Sequence, residues 1–119
     1  MVDEVVAFLK VLADPTRMKL AKLLLDQELC VCELPPLLGI SQPAVSQHIA
    51  RLKAAGLLQE RRAGTWTYYR VDRGRLAGAL DGVKAWFDAD ATALPEIAPL
   101  VDRRNGLGLC CDAGEEGKK

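Results

Sequence analysis

The chain has 119 residues, half of them apolar, with sixteen basic side chains balanced by sixteen acidic ones. That length allows one domain with a small core of the kind that dimerisation supplements. No run approaches the roughly 18 apolar residues of a membrane span, and Met1-Val2-Asp3-Glu4 lacks the basic start and long apolar run of a signal peptide. A cytoplasmic protein with reduced thiols is expected.

The zero net charge hides an asymmetry. Between Ser41 and Arg75, seven basic residues face two acidic ones, a net of +5 against −5 for the remainder. A basic segment inside a neutral chain fits a phosphate footprint, and fits a plain solvated surface equally well.

Val5, Val6, Leu9 and Leu12 recur at helical spacing and predict a first helix over Val2 to Leu12. Asp14 can cap a second helix with Pro15 at its first position, where the missing N–H costs nothing. That helix reaches about Leu25, with Met18, Leu20, Leu23 and Leu24 on a broad apolar face. Glu28-Leu29-Cys30-Val31-Cys32-Glu33-Leu34 follows, and holds two of the four cysteines. Pro35-Pro36 fits only a first helical turn, so a third helix is predicted from near Glu33 or Leu34 to Gly39.

Cys30 and Cys32 therefore fall at or before a helix start, in non-helical backbone. Residues two apart diverge by about 200° around a helix, but share a side in extended backbone. A Cys-x-Cys pair thus chelates from an extended or unwound segment. The helix N-terminus is expected to lower the thiol pKa and favour the metal-binding thiolate. The alternative is that both are small buried apolar residues, a common fate of free cysteine.

Ser41 is an N-cap, and Pro43 fits the first turn of a fourth helix ending at Gly56. Val45, Ile49 and Leu52 should face the core. Gln42, Ser46 and Gln47 should face out near the N-terminus, where short donors and acceptors suit base edges and phosphates. An ordinary solvated helix face would look the same. Leu57 to Ala63 and Trp66 to Val71 read as strands, with Gly64 in the turn. A helix–turn–helix followed by a basic hairpin is a winged helix. Its second helix enters the major groove and its hairpin follows the backbone, with Arg61, Arg62 and Arg70 serving phosphates. Trp66, Tyr68 and Tyr69 read as cross-strand packing.

From Arg75, the spacing of Leu76, Leu80, Val83 and Phe87 predicts a fifth helix. The expected fold is mainly α with a small β-hairpin, in the order α-α-α-α-β-β-α. Amphipathic helices at both ends predict a two-fold homodimer through Val5, Leu9, Leu76, Leu80, Val83 and Phe87. After Pro95 and Pro99 the pattern fades. The expected division is a DNA-binding and dimerisation domain over 1–102 and a Gly-rich, mobile tail over 103–119 that carries Cys110-Cys111.

Together the segments Leu12-Ala13-Asp14-Pro15-Thr16-Arg17, Glu28 to Leu34, Ser41 to His48, Ala55-Gly56-Leu57 and Tyr68-Tyr69 resemble the ArsR/SmtB family of metal-sensing repressors. The resemblance covers roughly residues 5 to 90, and the Leu-Cys-Val-Cys box resembles the thiol sensor of its arsenic-responsive members. It implies a homodimeric winged helix that binds double-stranded operator DNA with no cofactor. Trivalent arsenic or antimony then binds the thiols as inducer and the repressor lets go. The implied inducer ligands are Cys30 and Cys32. The implied reading helix carries Gln42, Pro43, Ser46, Gln47, His48 and Arg51, and the wing carries Arg62.

One departure matters. The best-known arsenic sensors of this type place a third cysteine three residues after the second, where this chain has Pro35. Soft trivalent arsenic prefers three thiolates. Either Cys110 or Cys111 supplies the third, from the same chain or a partner, or two thiolates suffice with hydroxide, a small thiol or a methyl group on arsenic. The tail pair favours the first choice; a separate site or inert thiols are the remaining readings.

Cadmium or lead sensors share the box but add an N-terminal extension with further cysteines. Zinc sensors use histidines and carboxylates on the last helix, and His48 is the one histidine here. Thiol oxidation is a further possible trigger. An enzyme is not expected: there is no Cys-x-x-Cys in a βαβ setting, no phosphate-cradling glycine loop and no acid–base partner.

Overall fold

The computed structural model describes residues 1–108. Helix α1 (Val2–Leu12) turns into α2 (Pro15–Asp26) at Asp14, whose carboxylate accepts the Arg17 N–H at 2.9 Å. A short strand β1 (Leu29–Cys30) and one 3-10 turn (Val31–Glu33) lead to α3 (Leu34–Leu38). Gly39, at φ +67°, stops α3 in the left-handed region open to glycine. Ser41 Oγ accepts the Ala44 N–H and starts α4 (Gln42–Ala54). Gly56 ends the turn after it at φ +75°, where an added Cβ would stand 2.9 Å from the Arg75 guanidinium. Strands β2 (Leu58–Ala63) and β3 (Trp66–Val71) form the wing, and α5 (Arg73–Asp88) and α6 (Ala98–Leu107) complete the order.

The winged helix expected from the sequence is present, with two additions. The hairpin is part of a three-stranded antiparallel sheet in the order β1-β3-β2, so β3 is central. Two residues carry too little alternation to announce β1 as a strand. The second addition is α6, which begins in the stretch where the apolar pattern fades and has Pro99 in its first turn. The expected boundary between 102 and 103 falls inside this helix.

By contacts, the chain divides into Met1–Val83 and a second unit from Lys84 on. The core of the first unit joins Phe8, Leu20, Leu24, Leu29, Leu34, Val45, Ile49, Leu52, Leu57, Tyr69 and Val71. Val45, Ile49 and Leu52 face inward as their spacing predicts. On α1 the inward residues are Val5 and Phe8, whereas Val6 and Leu9 are exposed. In the second unit Leu94 is buried, and the Trp86 and Phe87 rings meet edge to face at 5.0 Å.

Candidate thiol centre and nucleic-acid interface

Cys30 and Cys32 come together where strand passes to helix. Cys30 has extended backbone and is buried; Cys32 lies in the 3-10 turn and is exposed. Their Sγ atoms are 2.6 Å apart. The pair thus spans an extended residue and a tight turn, and the turn brings the second sulfur back over the first. The Cys30 sulfur also accepts the Cys32 N–H at 3.3 Å, while Glu33 Oε1 accepts the Cys30 N–H at 2.7 Å. This is a capping box with a thiol in the place usually held by serine or threonine.

The expected lowering of thiol pKa does not occur at Cys32, which is pushed up. The main cause is the Cys30 thiol beside it, followed by burial, with the Glu33 carboxylate adding to the effect. The first turn here is a three-residue 3-10 segment ahead of a five-residue helix. Its short dipole is outweighed by a second thiol and an acidic neighbour.

Cys110 and Cys111 lie outside the described residues. Among the described residues no group of three His, Cys, Asp or Glu side chains converges to hold a metal ion.

A cleft of about 620 Å³ runs between α4 and the wing. Gln42, Ser46 and Lys53 line it from α4, Thr67 and Tyr69 from β3, and Val31, between the two cysteines, from the thiol segment. Gln42, Pro43, Ser46 and Gln47 are exposed, as their positions predict. Lys53 is a charged member of this cleft that was not singled out. It pairs with Glu60 at 2.9 Å and lies 5.8 Å from the Tyr69 ring centroid.

Other expected DNA contacts are engaged elsewhere. Arg51 is exposed but borders an apolar cleft beside α1. His48 is half-buried and faces Arg17 on α2, with Nδ1 3.0 Å from the guanidinium. Arg61 forms a two-oxygen ion pair with Glu28, at 2.8 to 3.2 Å, and lies over the Tyr68 ring. Arg62 pairs with Glu60 at 3.2 Å, and Arg70 donates to Gln59 at 2.8 Å. All three wing arginines stay exposed, so each can exchange its carboxylate or amide for a phosphate. Trp66, expected to pack, is 54% exposed at the wing's tip.

The expected dimer residues divide as well. Val5 belongs to the protomer's own core, and Leu76 and Val83 pack partly against it. Leu9 (43%), Leu80 (49%) and Phe87 (69%) are exposed. An open apolar cleft of about 630 Å³ lies between α1 and α5, bounded by Val5, Phe8, Val11, Ala79 and Gly82.

A family profile described as "Bacterial regulatory protein, arsR family" matches residues 14–60. The chain is 47% identical over 107 residues to the arsenic resistance transcriptional regulator ArsR2 of Pseudomonas putida, covering 86% of this chain and 93% of that one. It is 42% identical over 96 residues to ArsR1 of the same organism, covering 74% and 75%. Among solved structures it is similar to the homodimeric winged helix-turn-helix DNA-binding domain of a possible ArsR-family regulator from Mycobacterium bovis. That match has a TM-score of 0.59 and 28% identity, and covers 75% of this chain and 84% of that one.

Proposed function

This chain belongs to the arsR family of bacterial regulatory proteins, and on that premise we propose that it is an arsenite- and antimonite-responsive repressor. The winged helix-turn-helix makes it a DNA-binding regulator, a class with no catalytic step. The finer reading concerns the trigger, and one observation supports it above the others: two thiols are in contact, and one of them, Cys30, caps the turn that leads into α3.

In this reading the uninduced homodimer binds operator DNA through Gln42, Pro43, Ser46 and Gln47 on α4, with the wing arginines on phosphates. Exposed Leu9, Leu80 and Phe87 support dimerisation through the terminal helices. Arsenous acid then condenses with the two thiols. Each Cys–S–As bond that forms breaks one As–OH bond, and the thiol proton leaves with that hydroxide as water. The third hydroxide stays on arsenic or is exchanged in the same way for Cys110 or Cys111.

Two thiolates that bind one arsenic would have to part and turn toward it, which would strain the contact between the Cys30 sulfur and the Cys32 N–H. The disturbance has two exits. Forward, the cap of the turn before α3 opens, and α3 packs on α4. Sideways, Cys30 pairs with Tyr68 in β3, the central strand of the wing. Both DNA-contacting elements therefore join at the sulfurs.

The test is an anisotropy titration under constant reducing conditions. The probe is a labelled duplex selected by this protein from a random pool, titrated with arsenite, antimonite, cadmium and zinc. Cys30→Ser and Cys32→Ser should bind the duplex as wild type does and need at least about tenfold more arsenite for release. A variant lacking both sulfurs that still releases DNA with arsenite ends this reading. Release by oxidant but not by arsenite would instead favour disulfide formation between the two touching sulfurs. A tail variant, Cys110→Ser/Cys111→Ser, that responds like wild type removes the tail from the ligand set.

A further inference from the structure

Arg17 is the one buried charged side chain among the described residues, at 7% exposure. Its guanidinium reaches back to the last turn of α1, where Nε donates to the Val11 carbonyl and Nη2 to the Lys10 carbonyl. It also reaches forward to α4, where Nη1 lies 3.0 Å from His48 Nδ1. An arginine has donors only. The Nδ1 it meets is therefore the acceptor nitrogen of a neutral ring, and the ring proton sits on Nε2. That nitrogen faces Asp14 Oδ2 at 3.9 Å. Three helices meet at one guanidinium.

We propose that Arg17, acting through neutral His48, is a positioning residue for the reading helix, and that protonation of His48 breaks this contact and weakens DNA binding. The proposal rests on α4 being that helix. A protonated ring has no acceptor, so its Nδ1–H would point at the Nη1–H of a second cation. Arg17 is tied to α1 by its other two nitrogens, so the ring gives way, and the ring is carried by α4.

The charged groups that face the ring are Asp14, ahead of α2, at 3.9 Å and Arg17 on α2 at 3.0 Å. The Asp14 carboxyl is held below the ordinary range, first by the Arg17 N–H it accepts.

The experiment compares the wild-type protein with His48→Asn at about pH 7.5 and about pH 5.5, spanning the range in which imidazoles gain a proton. Asparagine keeps an acceptor at the Nδ1 position and does not titrate. The probe is a fluorescein-labelled duplex selected by this protein from a random pool at the higher pH, read by anisotropy at fixed ionic strength. Far-UV circular dichroism is recorded alongside. The expected result is a wild-type affinity about tenfold weaker at the lower pH with helicity unchanged. His48→Asn should show the same affinity at both pH values.

Four results overturn the proposal. A flat wild-type profile does so, as does an equal fall in His48→Asn, or loss of helicity in step with affinity. A rise in affinity on acidification also overturns it, because that is the sign expected if charged His48 touches phosphate directly. Failure to bind any duplex at either pH sinks the repressor reading together with this one.

Discussion

Cys30 stands opposite Tyr68 across the β1–β3 ladder, and Tyr68 stands opposite Arg61 across β2–β3. A single cross-sheet row therefore runs from the candidate inducer ligand to a wing arginine. The Arg61 guanidinium lies 4.6 Å from the Tyr68 ring centroid and pairs with Glu28, two residues before Cys30. The arginine that charge alone assigns to phosphate is thus tied to the sensor segment.

Glu28→Gln should free Arg61 for DNA. The expected change is tighter binding at low salt and a log affinity–log salt slope steeper by about one, the signature of one more phosphate contact. Salt-dependent anisotropy on a fixed duplex measures it. An unchanged slope would show that the ion pair does not withhold Arg61 from the backbone.

Cys32 should behave as a weakly acidic thiol. Because its pKa is raised, chiefly by the Cys30 thiol, alkylation by iodoacetamide should still accelerate above the ordinary thiol value of about 8.5. In Cys30→Ser the largest cause is gone, and the profile should move to lower pH. Peptide mass spectrometry after timed quenching reads both curves. A plateau at or below the ordinary thiol range in the wild type would contradict the geometry of the pair.

Acid should destabilise the first unit through four carboxylates. Asp14 and Asp72 are held low first by the backbone N–H groups of Arg17 and Arg75, Glu28 by Arg61, and Glu60 by Lys53. Folded values below unfolded ones contribute stability that is complete above the unfolded range near pH 4 and is lost as pH falls through the folded values. The thermal midpoint should decline as pH falls below about 4. The decline should be shallower in Glu28→Gln/Asp72→Asn. Melting curves followed by circular dichroism decide it; equal slopes would remove these pairs from the account.

Leu9→Asp and Leu80→Asp should each give a folded monomer with operator affinity lowered by at least about tenfold. Val5→Asp should instead unfold the chain, because that residue lies in the protomer's own core. Light scattering after gel filtration reads the mass. Dimers that persist in both leucine variants would place the interface elsewhere.

Much of this could be read from the sequence because the signals were local. Asp14, Pro15, Ser41, Gly39 and Gly56 mark their helix ends by rules that need no tertiary context. The spacing of Val45, Ile49 and Leu52 fixed the inner face of α4. What could not be read depends on partners distant in sequence. Phe8 is core because of what α1 meets. His48 faces Arg17, thirty-one positions away, and Arg61 faces Glu28, thirty-three away. The rise at Cys32 comes from a turn that folds one sulfur onto the next, which spacing alone leaves undetermined.

The thiol cap at Cys30 has a consequence for how such a sensor can be built. The sulfur that would bind the soft ion is the one that holds the peptide N–H at the start of the turn. Recognition and report are then a single local event, and no long relay has to be maintained through the protein between them.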